Sequence, residues 1–220
     1  MKPRLLDLFC GAGGCAKGYQ RAGFDVWGVD INPQPNYCGD HFTQMDALSV
    51  EPWFLAGFDA IHASPPCQGY HGLGSGQDRL IGQVRELLDA TGLPYVIENI
   101  EGARFDMRDP ITVCGTMFDP ILGVRRHRLF EANWNLEHPD WPCRHSLSEP
   151  RFRIYEHGKW HKRRFAAVYG HGGGKANAEG PEAMGIDWMT RSELVEAIPP
   201  AYTEFIGLQL MAYLDTGMMR

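Results

Sequence analysis

No apolar run in this sequence of 220 residues approaches the length of a bilayer span, so no membrane-spanning helix is expected. The opening, Met1-Lys2-Pro3-Arg4-Leu5-Leu6-Asp7, holds no apolar secretory core and passes straight into a strand pattern. A cytoplasmic protein is expected on that ground. No Cys-x-x-Cys pair occurs among the six cysteines, Cys10, Cys15, Cys38, Cys67, Cys114 and Cys143. Free thiols are therefore expected rather than a disulfide framework. Cys143 lies near His138 and His145, but a fourth ligand at metal spacing is not evident, and no metal is assigned. Internal repeats are absent. Net positive charge is absent too: the formal charge is −6, which taken alone argues against a nucleic-acid partner.

The distribution of charge argues the other way. Between Trp141 and Lys175 lie Arg144, Arg151, Arg153, Lys159, Lys162, Arg163, Arg164 and Lys175, against only Glu149 and Glu156. An acidic body with a basic contact lobe fits this asymmetry, and so does a solvated loop region with incidental charge. Hydrophobic content of 44% and charged content of 22% are those of an ordinary globular protein with one good core.

The first strand is expected over Arg4-Leu5-Leu6-Asp7-Leu8-Phe9. It runs into Cys10-Gly11-Ala12-Gly13-Gly14 and a helix from Cys15 to Ala22. Strand, Gly-rich turn and helix make the nucleotide-side half of a Rossmann-like unit. Val26-Trp27-Gly28-Val29-Asp30 is a second strand ending in an acid. Asp30 suits either a ribose hydroxyl pair or a helix cap. Asp46 is a further acid near a strand end.

Phe58 to Ala63 reads as a short buried strand, followed by Ser64-Pro65-Pro66-Cys67-Gln68-Gly69. Each Pro fixes φ near −65°, so the thiol of Cys67 sits on a stiff turn at a strand end. It is either a presented nucleophile or a buried thiol. The segment Gly69 to Gln77 is Gly-rich and polar, as a mobile closing loop would be. Leu80 to Ala90 has helical apolar spacing.

Pro94 to Ile100 is a fifth strand carrying Glu98 and Asn99 at its carboxyl end. A dry pocket would raise the Glu98 pKa and suit proton donation to a ring nitrogen; a salt-bridged structural Glu is the alternative. Ile111 to Gly115 and Arg126 to Glu131 are further strands. Alternation puts Arg126 and Arg128 on one face, facing a ligand or merely solvent. From 132 to 183 periodicity is poor, and a small irregular lobe is expected, with His171 to Lys175 flexible. Thr190-Arg191-Ser192-Glu193 matches a capping box. A last helix from Ala201 to Leu214 is expected to bury Tyr202, Phe205, Ile206, Leu210, Tyr213 and Leu214. The expected organisation is a catalytic and cofactor-binding domain over 1–131, a target-recognition lobe over 132–183, and helices over 184–220 returning to the first domain.

The order of these pieces resembles the DNA cytosine-C5 methyltransferase family over nearly the whole chain outside 132–183. The motifs that carry the resemblance are Asp7-Leu8-Phe9-Cys10-Gly11-Ala12-Gly13-Gly14, Pro66-Cys67-Gln68, Glu98-Asn99-Ile100, Arg126-His127-Arg128, and Ala197-Ile198-Pro199-Pro200 with Ile206-Gly207. Each is weak alone; five in order are specific. The resemblance implies an α/β Rossmann-like sheet binding S-adenosylmethionine and acting on double-stranded DNA as a monomer. Catalytic roles fall on Cys67, Glu98, Arg126 and Arg128. The resemblance assigns the cofactor to Phe9, Gly11, Gly13, Gly14, Asp30, Ile31, Asp46, Ala47, Pro65, Glu196 and Ala197. DNA contact falls to Gln68 and the basic residues of the lobe. The same chemistry on RNA, or a non-catalytic nucleic-acid-binding protein keeping the fold, are the alternatives. Two residues depart from the family pattern. Val124 stands where a Gln is usual, and Glu196 where an Asn is usual, near the cofactor's methionine end.

Overall fold

Short runs of Val, Ile and Leu bounded by Gly and Pro should pair as buried strands, and in the computed structural model they do. It describes residues 1–70, 76, 78–118, 121–145, 151–156, 159–166, 168 and 179–217, with 151–156 and 160–164 described by their backbone. Most of the expected closing loop, 71–75 and 77, lies outside the described residues, as does the Gly-rich stretch His171 to Lys175.

β1 (Arg4–Leu8) leads through the glycine turn to α1 (Gly14–Ala22) and β2 (Asp25–Asp30). β3 (His41–Gln44) and the short α2 (Pro52–Leu55) precede β4 (Ala60–Ala63). α3 (Ile81–Asp89), β5 (Tyr95–Asn99), β6 (Ile111–Val113) and β7 (Arg128–Ala132) complete the sheet. β8 (Arg151–Glu156) and β9 (Lys159–Arg164) pair as a separate antiparallel ribbon, so the segment expected to be irregular holds regular structure. α4 (Gly180–Met184), α5 (Arg191–Glu196) and α6 (Pro200–Gly217) follow.

The seven strands run β3-β2-β1-β4-β5-β7-β6. The first five are parallel, and β7 is antiparallel to both β5 and β6. This is the Rossmann-like α/β sheet expected from the sequence. β1 sits between β2 and β4, so successive crossovers leave it on opposite sides. That is a topological switch point, the crevice where doubly wound sheets take their ligands. Leu8 is in register with both Val29 and Ala63, which brings the carboxyl ends of three strands level.

Successive strand residues face opposite layers. Leu6, Leu8, Ile61 and Ile97 pack under Ile81, Val84 and Leu88 of α3. Leu5, Val26, Ala60 and Val96 pack against Tyr19 of α1 and Tyr202, Ile206 and Leu210 of α6. α1 and α6 touch closely because Gly18 has no side chain; a Cβ there would stand 2.1 Å from Thr203 Oγ1. A third small core joins Val124, Ala166, Val168, Met184, Ile186 and Leu194.

Two local expectations change. Tyr213, expected in the buried stripe of α6, is 45% exposed and lies against Trp134 instead. The strand expected from Arg126 begins at Arg128, so alternation does not relate the two arginines. Val124 is buried in the third core and bridges to Ala166, an apolar environment in which a Gln would need new hydrogen-bond partners. The capping box forms as expected, with Thr190 and Glu193 bonded reciprocally.

Candidate active site

A cavity of about 650 Å³ opens at the carboxyl ends of β1, β2, β4 and β5. Its walls include Phe9, Gly11, Gly14, Asp30, Ile31, Ala47, Pro65, Cys67, Gln68, Glu98, Arg128, Glu196 and Ala197. Most of the residues singled out from sequence therefore meet in one place.

The turn after β1 is built for close approach. Phe9, at φ 60, and Gly11, at φ 49, both lie in the left-handed region. That region is uncommon outside Gly, so the Phe9 backbone is held there by its surroundings. Gly11 N–H donates to Asp30 Oδ2 at 3.0 Å, and Asn32 N–H donates to Asp30 Oδ1 at 2.9 Å. These bonds fix the carboxylate of Asp30 at the cavity wall. Ile31 beside it is 62% exposed, an apolar surface at the cavity that a flat ligand would cover. Gly13 does not line the cavity; a Cβ there would stand 2.9 Å from Cys38 Sγ. Asp46 also stays off the wall and caps a short 3-10 turn by accepting from Leu48 N–H at 3.0 Å.

Cys67 follows β4 on the two-proline turn. Asn99 Nδ2 donates to Pro65 O at 2.9 Å and ties that turn to β5. Asn99 is thus a positioning residue; the sequence reading included it in a motif without giving it a role. Glu98, next to it, is 5% exposed. Arg128 Nε stands 3.1 Å from Glu98 Oε1. Burial raises the Glu98 carboxyl above its ordinary range, while Arg128, the Ser64 hydroxyl and Arg126 pull it back. The Cys67 thiol is also raised, first by burial and then by the charge of Glu98, with Arg128 opposing and Glu196 adding to the rise.

Behind these groups runs a buried relay that sequence reasoning missed. Tyr19 Oη lies 2.9 Å from His62 Nδ1, and His62 Nε2 lies 2.9 Å from Ser64 Oγ. His62 is wholly buried, and burial pushes its pKa down to about 3, so the ring is neutral. A neutral ring has one donor and one acceptor. If Tyr19 donates to Nδ1 and Nε2–H donates to Ser64, the Ser64 proton is left for Glu98. The only sequence signal was a His inside an apolar strand. Asp7, at 0% exposure, is another missed cavity residue, its carboxyl raised well above the ordinary range by burial and by Asp30.

Arg126 does not line the cavity. Its Nη1 donates to Val168 O at 3.0 Å and its Nη2 to Val195 O at 2.9 Å, so it ties Val168 to α5. Arg144 is likewise engaged: Nε donates to Thr116 O at 2.9 Å and Nη2 to Phe118 O. Lys159 is exposed. Arg151, Arg153, Lys162, Arg163 and Arg164 fall on the ribbon, in register Arg151 to Arg164 and Arg153 to Lys162. Lys175 lies outside the described residues.

No protein-family model matches the chain. A curated relative, the type II methyltransferase M.XorII of Xanthomonas oryzae pv. oryzae, is 30% identical over 124 residues, covering 46% of this chain and 29% of that protein. The chain thus spans less than a third of the relative's length. Among solved structures, one similar fold is a prophage-encoded protein of E. coli described as a DNA modification methyltransferase. It is 16% identical, with a TM-score of 0.64 over 97% of this chain and 100% of that one. The S. pombe Dnmt2 methyltransferase is 15% identical, with a TM-score of 0.60 over 97% and 99% of the two chains. The Entamoeba histolytica methyltransferase EhMeth gives 14% and 0.57 over 99% of each. In fold the chain is a Rossmann-like methyltransferase-type α/β protein, and its motif series is similar to that of the DNA cytosine-C5 methyltransferase family.

Proposed function

We propose that this chain is an S-adenosylmethionine-dependent methyltransferase acting on C5 of a flipped-out cytosine in double-stranded DNA. The observation that carries the reading is the meeting of Cys67, Glu98 and Arg128 in one cavity at the switch point of the sheet. The remaining walls support the cofactor. Besides the raised carboxyls of Asp7 and Glu98, the carboxylates of Asp30, Glu193 and Glu196 line the cavity, with Arg128 as the one Lys or Arg among the described residues that line it. Such a wall favours a ligand of net positive charge and disfavours a polyphosphate. Phe9 and Ile31 give it apolar surface for a base, and Asp30 a carboxylate for ribose hydroxyls. The bound cofactor supplies an electrophilic methyl group on a positively charged sulfur.

The protein's own residues account for the rest. Cytosine C5 is a poor nucleophile. Addition of the Cys67 thiolate at C6 forms an S–C bond and moves the ring electrons toward N3. A proton held on Glu98 meets that charge at N3, which leaves C5 with enamine character. Arg128, whose Nε lies 3.1 Å from Glu98 Oε1, favours the Cys67 thiolate. After C5 is methylated, its hydrogen leaves as a proton to solvent, the C–H electrons restore the C5–C6 double bond and expel Cys67 as thiolate, and N3 returns its proton to Glu98. A protonated Glu98 serves twice, because neutralising it also removes a charge that holds the Cys67 thiol up.

The base must leave the helix to reach a cavity of this kind. The ribbon suits the duplex side, since a two-stranded ribbon fits the major groove. Its register sets Arg151 opposite Arg164 and Arg153 opposite Lys162. Like charges directly opposite cost stability, and phosphates would relieve that cost. The test is covalent trapping on duplex DNA carrying 5-fluorocytosine, with S-adenosylmethionine present and a matched RNA as the second arm. We expect an adduct at Cys67 on DNA and none in Cys67→Ser. Methyl transfer at near wild-type rate by Cys67→Ser would end the mechanism, and an adduct on RNA alone would end the DNA assignment.

A further inference from the structure

Four metal-ligating side chains, from three separate stretches of chain, converge beside the active site. Cys114 follows β6, His127 precedes β7, and Cys143 and His145 stand where the chain leaves the sheet domain for the ribbon. Their ligating atoms all lie within 4.8 Å of one another. We propose that Cys114, His127, Cys143 and His145 bind one zinc ion as a closed structural site.

The geometry supports this in detail. Zinc at about 2.3 Å from sulfur and about 2.0 Å from nitrogen gives tetrahedron edges of about 3.3–3.8 Å. Here His127 Nε2 lies 3.2 Å from His145 Nε2 and 3.3 Å from Cys143 Sγ. Cys114 Sγ lies 3.5 Å from His145 Nε2. The surroundings are those of a ligand set as well. His127 Nδ1 is 3.1 Å from Glu101 Oε1, the carboxylate–imidazole pairing that puts the proton on Nδ1 and turns the Nε2 lone pair inward. That single lone pair faces two neighbours at once, which one metal ion satisfies and one hydrogen bond does not. The Thr116 hydroxyl lies 3.5 Å from Cys114 Sγ and 3.4 Å from Cys143 Sγ, placed to donate to a thiolate. Arg144 N–H donates to the same hydroxyl at 3.0 Å and orients it.

Four protein ligands leave no open position, so the site is structural and not catalytic. Two thiolates and two imidazoles select zinc over harder cations. Its place gives it a use. His127 sits between Arg126 and Arg128, and Arg128 Nη1 donates to His127 O at 2.8 Å. One ion would pin the approach to β7, and with it Arg128, to the stretch that leads into the ribbon.

The test uses the whole chain, purified under reducing conditions, stripped of metal and titrated with Co²⁺ and then Zn²⁺. We expect saturation near one equivalent. Visible bands of tetrahedral Co²⁺ and a thiolate charge-transfer band should appear, and zinc should bleach both. Glu101→Gln should weaken Zn²⁺ binding about 10–100-fold. Cys143→Ser with His145→Ala should abolish the bands, and the exposed His138→Ala should leave them unchanged. A wild-type protein that gives no bands with Co²⁺ overturns the proposal, whatever the variants do. So does a Cys114–Cys143 disulfide that persists under reduction, or a Co²⁺ spectrum unchanged in the double variant.

Discussion

Replacing His62 by Gln should change how stability depends on pH more than it changes stability at neutral pH. His62 is buried between Tyr19 and Ser64, with its pKa lowered to about 3 from an ordinary value near 6.5. A histidine depressed on folding contributes stability above its unfolded pKa and loses it as pH falls through the folded one. As pH drops below 6.5 the unfolded chain takes up the proton and the native chain does not. Each unit then costs about 1.4 kcal/mol, and by pH 4.5 the loss from this one residue amounts to about 2.7 kcal/mol. Asp7 and Glu98 act with the opposite sign. Their raised carboxyls take up protons in the native state first, so their contribution grows as pH falls and is lost as pH rises through their folded values. The wild-type curve mixes all three, and the difference between wild type and His62→Gln isolates the histidine. Urea melts between pH 7.5 and 4.5, followed by tryptophan fluorescence, give that difference directly. We expect it to move by about 2–3 kcal/mol across the range, wild type losing more than the variant as pH falls. A difference that stays flat would mean that His62 is not held neutral, and the relay to Glu98 would lose its basis.

Glu98→Gln keeps the shape but not the proton, and the single-turnover rate should fall about 10²–10⁴-fold. The same change removes a charge that raises the Cys67 thiol, so alkylation mapped to Cys67 at pH 8 should become faster; unchanged alkylation would detach the two residues. Glu196→Asn should tighten binding of S-adenosylmethionine and S-adenosylhomocysteine equally, measured by calorimetry, if Glu196 faces their shared carboxylate. A loss confined to the sulfonium compound would mean that it faces the sulfur instead. Lys162→Ala with Arg163→Ala and Arg164→Ala should flatten the salt dependence of DNA binding, by about 0.9 in slope for each phosphate no longer neutralised. An unchanged slope would place the DNA elsewhere.

Which of these features sequence could reveal follows a physical rule. Strands β1, β4 and β5 are buried on both faces, so they appear as apolar runs, and a polar residue at the end of such a run stands out. Cys67 and Glu98 were found that way, and Asp30 as the acid that ends β2 at the right distance from the glycine turn. Asp7 and His62 were not, because they lie inside the runs, where burial looks the same for a packed and a functional side chain. Arg126 and Arg128 show the opposite error. Alternation gave them one face, but the strand starts only at Arg128, and the backbone before it turns Arg126 toward two carbonyls. The ribbon's signal, Phe152 and Ile154 alternating with arginines, was swamped by charge.

The metal-ligand set was the hardest to see, for a reason that bears on how the molecule works. Local metal motifs place their ligands on one turn or one helix, so a short spacing betrays them. Here Cys114 and His127 lie on opposite sides of the turn between two sheet strands, and Cys143 and His145 lie beyond the last of those strands. Sequence proximity favoured His138, which is exposed and outside the cluster. Ligands that distant meet only after β6 and β7 have paired, so an ion there would report a completed sheet rather than nucleate one. It would also bind the strand that carries Arg128 to the segment that carries the basic ribbon. A metal-depleted protein should therefore keep its parallel sheet and lose the orientation of its contact surface first.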